Sequence, residues 1–375
     1  MSLEQQMMVL QSNDPAAAPD NAAAIRLLEE LVTIPSVSGD EQAVVAYLVA
    51  QMQALGFTAH IDAAGNAVGS IGMGRPETVL LGHIDTVPGV IPVHRNDGRL
   101  YGRGTVDAKG PLAAFVAAAA RLYARGGVPG RIVVIGCVEE EAPSSHGAHH
   151  VIGQYHPDLC IVGEPSGWQR VTLGYKGVLR ITARTAAPCT HSAHGRQTSA
   201  ARLCAFWQQI AAYADRFNVE RPRAFDQLLP TLLAINSGND GLHEQATAAI
   251  SVRLPPDMQP LDLAATMRAF DPLVEVEVLG ATPAFRSERN TPLVRALTQA
   301  IRRQSAQPGL VLKTGTADMN IVGPAWNCPI VAYGPGDAAL DHTPDEHIVL
   351  EEYLRAIGVL EAALTQLHQA QRSHV

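Results

Sequence analysis

The chain has 375 residues, of which 47% are apolar and 17% charged, and its formal net charge is −8. This composition suits a soluble globular protein and excludes a disordered one, while the negative balance argues against nucleic acid or an anionic membrane as partner. The length exceeds what a single core usually serves, so two domains are expected.

Residues 1–20 carry neither the basic start nor the apolar run of a secretory signal and are read as a mobile leader. Asp20 or Asn21 can cap a first helix that must stop near Pro35, and a second helix over about 41–55 ends at Gly56. Three short apolar runs, T-V-L-L-G-H-I-D, R-I-V-V-I-G-C-V and D-L-C-I-V-G-E-P, read as buried strands. An Ala-rich helix, with Pro111 in its first turn, lies between the first two. Its apolar run is too short to span a bilayer. Strands alternating with helices indicate an α/β layer with a largely parallel sheet. From about Leu173 the pattern changes: L-G-Y-K-G-V-L-R-I-T-A-R-T alternates as a half-exposed strand does, followed by further alternating strands and two helices. That is the pattern of a small open-faced α+β sandwich. The α/β texture returns after Pro283 and ends in a long helix from Glu351. The expected organisation is a catalytic domain of residues 21–173 and 285–375 interrupted by a lid of residues 174–284. The five scattered cysteines, with no C-x-x-C, read as buried reduced thiols of a cytoplasmic protein.

Five stretches carry chemistry. In L-L-G-H-I-D, His83 and Asp85 stand two apart at a strand end and face the same side, as a metal-ligand imidazole and the carboxylate that orients it would. Asp107 lies in a glycine-rich loop ahead of the Ala-rich helix, and alone it reads better as a helix cap than as a ligand. The glycines do not make a phosphate loop, since no G-K-S or G-K-T follows. C-V-E-E-E-A places three carboxylates after a strand, a repulsive set unless a cation neutralises some of it. Glu164, at the exit of the next apolar run, and His342, in L-D-H-T-P-D-E-H, complete the series. His146, His149 and His150 read as the exposed start of a following helix.

The order H-x-D, G-x-V-D, E-E, G-E-P-S and a late H-x-x-D-E resembles the M20 family of dinuclear zinc peptidases and deacylases. The resemblance covers the chain after the leader. It implies two Zn2+ ions, with Co2+ or Mn2+ as substitutes: His83 and Glu164 on one, Glu141 and His342 on the other, and Asp107 bridging. Asp85 would orient His83, and Glu140 would be the general base. Glu139 stands where the family has Asp, so the register of the three glutamates could slip by one. In the lid, His191, with His194 as the alternative, would polarise the scissile carbonyl from the partner subunit of a homodimer. Arg253 would bind a substrate carboxylate. The segment V-L-K-T-G-T-A-D-M-N adds Lys313, Thr314, Gly315 and Thr316, and is similar to the branch that frees lysine or ornithine from an α-N-blocked precursor. The substrate would be a small N-acyl amino acid or an amino acid linked to a small acidic carrier protein. For such a carrier, Arg95, Arg99 and Arg103 could form a basic collar. A dipeptidase, carboxypeptidase or general aminoacylase is the alternative enzyme, and a non-catalytic metal-binding module the alternative of another class. The absence of G-x-S-x-G argues against a serine hydrolase.

Overall fold

The computed structural model describes residues 18–127 and 129–372, so that most of the expected leader, residues 1–17, lies outside the described part. The chain divides into two units. One is built from residues up to Val171, Arg289–Leu310 and Cys328 onward, the other from Thr172–Glu288 and Val311–Asn327.

In the first unit Asp20 caps helix α1 (Asn21–Thr33), its carboxylate accepting from the Ala23 amide at 2.7 Å. Ile34, extended ahead of Pro35, ends it. Helix α2 (Gln42–Ala54) stops before Gly56, whose φ of +89° suits the left-handed exit of a helix. Strands β1 (Thr58–Ile61), β2 (Ala67–Met73) and β3 (Glu77–His83) follow, then the short β4 (His94–Asn96) and β5 (Arg99–Tyr101). Helix α3 (Lys109–Ala124), strand β6 (Gly130–Cys137), helix α4 (His146–Val151) and strand β7 (Leu159–Gly163) complete the first half. The Ala-rich α3 is buried along nearly its whole length, because its methyl side chains let it lie close on the sheet.

The second unit begins within β8 (Arg170–Tyr175) and continues through β9 (Gly177–Pro188), α5 (Ser199–Asn218), β10 (Leu229–Asn239) and β11 (His243–Leu254). Helix α6 (Pro260–Arg268), β12 (Glu275–Thr282) and the short β13 (Phe285–Arg286) follow. Strands β10, β11, β9 and β12 form an antiparallel sheet in that order. Leu203, Phe206 and Ile210 of α5 and Leu263 and Met267 of α6 pack against Ile181, Ile250 and Val252 of this sheet. The single strand expected over L-G-Y-K-G-V-L-R-I-T-A-R-T is in fact two, broken at Lys176. There the Lys176 carbonyl accepts from Thr316 Oγ1 at 3.1 Å and Asn320 Nδ2 at 3.2 Å. A Cβ on Gly177 would stand 2.6 Å from the Thr282 carbonyl oxygen, so only glycine fits there.

Helix α7 (Pro292–Arg303) belongs to the first unit, β14 (Gly309–Lys313) leads out of it, and α8 (Met319–Trp326) lies in the second. Strands β15 (Ile330–Ala332) and β16 (His347–Val349) and the long α9 (Leu350–Arg372) return to the first. Its main sheet runs β1-β2-β6-β3-β7-β15, with β6, β3, β7 and β15 parallel and β1 and β2 antiparallel at the edge. Helix α3 packs on β3 and β6 and against α1 and α9. The cysteines depart from expectation: Cys137 and Cys160 are buried, but Cys189, just beyond β9, and Cys204, on the outer face of α5, are exposed.

Candidate metal centre

The sheet order brings the chemical motifs to one edge. Gly82 pairs with Gly136 on one neighbour and with Gly163 on the other, all three strands being parallel. His83 therefore closes β3 beside the exits of β6 and β7, where Glu139–Glu141 and Glu164 follow. This is the carboxyl edge at which open α/β sheets hold their ligands. Asp107 arrives from the turn before α3, its peptide bond to Ala108 being cis. His342 arrives from the loop before β16, with φ +61°.

Asp107 stands between the two imidazoles. Its Oδ1 lies 3.1 Å from His83 Nε2, and its Oδ2 lies 3.1 Å from His342 Nε2. His342 Nε2 also lies 2.8 Å from Glu141 Oε1. His83, Asp107 and Glu141 each offer a donor atom within 4.8 Å of the others, a spacing that suits a cation. Glu164 is buried directly after β7, next in register to His83, but is not one of that trio. The three consecutive glutamates diverge. Glu139, at φ +58°, turns its carboxylate to Ser144 Oγ at 2.5 Å, whereas Glu141 joins the imidazole cluster.

Asp85 supports both sides of this arrangement. It is fully buried, and its Oδ1 lies 3.3 Å from His83 Nδ1. The amides of Glu140 and Glu141 donate to its carboxylate at 3.1 and 3.0 Å, and Ser38 Oγ does so at 2.7 Å.

The charges interlock accordingly. Burial disfavours the charged form of His83, yet hydrogen bonds to Asp107 and Asp85, with the charge of Glu140, leave its pKa well above the ordinary imidazole value. His342 is pushed up to about 10 by its hydrogen bonds to Asp107 and Glu141. Burial would raise Asp107 and Asp85. The imidazoles outweigh it at Asp107, and His83 with the donors around Asp85 outweighs it there, so both stay below the usual carboxylate range.

The family model for peptidase family M20/M25/M40 matches residues 79–366. The chain belongs to this family. It is also 45% identical to a LysW-lysine hydrolase of Deinococcus radiodurans, over 93% of this chain and 98% of that one. A LysW-lysine/LysW-ornithine hydrolase of Saccharolobus islandicus is 28% identical over 79% of this chain and 83% of its own. Among solved structures, an M20 family metallo-carboxypeptidase of Sulfolobus solfataricus superposes with a TM-score of 0.76 at 18% identity, covering 92% of this chain and 99% of that one. A dinuclear metal-binding M20 peptidase of Bacillus subtilis gives 0.67 at 14%, over 93% and 98%. The M20 resemblance, the mixed α/β fold and the hydrolase assignment expected from the motif series thus hold.

The residues that this M20 chain was expected to turn toward a substrate's carboxylate and carbonyl lie in the second unit. Arg253 Nη1 donates to Thr316 Oγ1 at 2.6 Å, and Lys313 Nζ stands 5.8 Å from the centre of the Tyr175 ring. Thr314 is exposed and Gly315 half-buried. His191 is exposed, its Nδ1 accepting from the Ala193 amide at 3.2 Å, with the His194 ring centre 6.0 Å away. Of the three arginines expected at a basic collar, Arg95 pairs at the surface with Glu29, Arg103 pairs with the buried Glu346, and Arg99 is exposed. Sequence reasoning passed over Ser38 and Glu41, and gave Glu346, the last residue of H-x-x-D-E, no role. Glu41 accepts from the Glu139 amide at 3.2 Å, and Glu346 holds the Asp107 turn. Glu41 and Glu346 act on main-chain amides, and Ser38 on a carboxylate distant in the chain, contacts that leave no mark in a sequence. Among the described residues no helix is long and apolar enough to cross a membrane.

Proposed function

We propose that the protein is a dinuclear metal hydrolase that frees lysine, or ornithine, from an α-N-amide link to a small carrier protein. The carrier part rests on the 45% identity to the LysW-lysine hydrolase over 98% of that chain. The metal part rests on Asp107, whose two oxygens face different imidazoles at 3.1 Å each, as a carboxylate shared between two cations would. The donor set fits Zn2+, with Co2+ or Mn2+ as substitutes: His83, Asp107, Glu141 and His342, with Glu164 joining from the end of β7. Bound cations would supply Lewis acidity, polarising the scissile carbonyl and making water a better nucleophile.

The chain's own groups do the rest. Glu140, beside Glu141, takes a proton from water as the oxygen bonds to the carbonyl carbon. When the C–N bond breaks, Glu140 returns that proton to the leaving nitrogen. The products are a carboxylate on the carrier and a free amino group on the amino acid. Asp85 keeps His83 and the glutamate turn in place. His191, with His194 as alternate, is assigned to the developing oxyanion in a homodimer, and Arg253 with Lys313, Thr314, Gly315 and Thr316 to the substrate carboxylate.

The test is Glu140→Gln in the Zn2+-loaded protein, assayed on carrier-linked lysine, acetyl-lysine, acetyl-ornithine and dipeptides. Turnover should fall by roughly 10²–10⁴-fold with metal content unchanged. Full turnover in the variant would remove Glu140 as base, and a preference for dipeptides would favour the peptidase alternative.

A further inference from the structure

Glu346 is a fully buried carboxylate that the proposed hydrolysis does not use. A charge so placed must be compensated within the protein. Its Oε1 accepts from three main-chain amides, those of Gly104 at 2.9 Å, Val106 at 2.9 Å and Asp107 at 3.2 Å. Its Oε2 accepts from Arg103 Nη1 at 2.8 Å, and its carbonyl accepts from the Gly102 amide at 3.3 Å. Arg103 in turn donates through Nε to the Gly89 carbonyl at 3.3 Å.

These contacts converge on a segment that has no helix or strand of its own to hold it. Residues 102–107 are a bend and a run of turns containing Gly102 at φ +153° and Gly104 at φ +87°, closed locally by the Thr105 amide on the Gly102 carbonyl at 3.2 Å and joined by Glu346 to a distant part of the chain. Asp107 ends that run. We propose that Glu346 is a positioning residue for Asp107, fixing the turn so that the two Asp107 oxygens meet the His83 and His342 sides of the metal centre together. Asp85 does the corresponding work on the glutamate turn through the amides of Glu140 and Glu141. The donor cluster is thus gripped on two sides by buried carboxylates acting through the main chain, which is how supporting groups tune metal affinity. Arg103, expected at a binding collar, is the counter-charge of this clamp.

The inference rests on the metal reading above, and the experiment separates the two. Zn2+ affinity is measured by competition with a chromophoric chelator, the Co2+ absorption spectrum is recorded, and thermal unfolding is followed in chelator, for the unsubstituted protein and Glu346→Gln. The amide keeps the size of the side chain but loses the charge that faces Arg103. Zn2+ affinity should weaken by roughly 10–100-fold, and the Co2+ spectrum should change with the ligand geometry. Should Glu346→Gln fail to fold, Glu346→Asp, one methylene shorter and unable to reach every donor at once, carries the same reading. A lower unfolding temperature with Zn2+ affinity and Co2+ spectrum unchanged would mean that Glu346 is structural only, and would overturn the proposal. No Zn2+ binding by the unsubstituted protein would overturn the metal reading and this proposal with it.

Discussion

Asp85 concentrates more of the site's order than any ligand does, and it does so without facing the donor cluster directly. A single carboxylate receives the His83 ring, the Ser38 hydroxyl and two consecutive amides. Asp85→Asn preserves the shape but sets an NH2 group against donors, leaving at least one buried amide without an acceptor. That should cost about 1–3 kcal/mol of stability. Through the loosened His83 and glutamate turn, it should also lower kcat/KM by roughly 10–100-fold. Urea unfolding and steady-state kinetics on the same preparation check both, and unchanged stability would show that the four contacts are not held together. The same carboxylate also directs which of three identical neighbours meets the imidazoles. With Glu41 on the Glu139 amide and Asp85 on the next two, the chain turns at Glu139, so that this side chain leaves and Glu141 enters the cluster.

At the scale of elements, the parallel strands were legible because strands buried on both faces appear as continuous apolar runs. Their motifs were legible because each sits at a run's end. The two helices of the second unit were legible too among its alternating strands, and Thr198 caps the first of them, Ser199–Asn218. What was not legible depended on contacts distant in the chain. Nothing within L-G-Y-K-G-V-L-R announces a break at Lys176. The break comes from the far side, where Thr316 and Asn320 take its carbonyl while its buried Nζ donates to the carbonyls of Ala224, Phe225 and Gln227. Burial pushes this amine down to about 8. Lys176→Met keeps the length of the side chain and removes all three donations. The second unit should then lose about 1–3 kcal/mol, because the freed carbonyls are only partly reachable by water. The urea transition of that unit, followed by hydrogen exchange in β9 and β10, measures it. Protection equal to that of the unsubstituted protein would mean that the lysine merely fills space.

For the molecule as a whole, stability against pH is set by groups that pull in opposite directions. His368 on α9 is fully buried, with Nε2 3.0 Å from Thr78 Oγ1 on β3 and Nδ1 against the Pro129 carbonyl. Burial lowers its pKa from 6.5, with the Pro129 carbonyl and Asp158 only partly offsetting this. The unfolded chain therefore binds a proton that the folded chain resists. The contribution is fully present above pH 6.5 and is lost as pH falls through the folded value. His83 and His342 act the other way. Their raised pKa values give stability that is present below 6.5 and lost as pH rises toward their folded values. A single pH profile would sum these opposed effects, so the informative quantity is the difference between the unsubstituted protein and His368→Gln, in which the other histidines cancel. Measured by urea unfolding in chelator from about pH 7.5 to about pH 5.5, that difference should hold down to about pH 6.5 and shrink below it, by no more than about 1.4 kcal/mol per pH unit for one proton. A difference that stays constant across the range would mean that His368 is equally protonated in both states, and that the tie between α9 and β3 depends on packing alone.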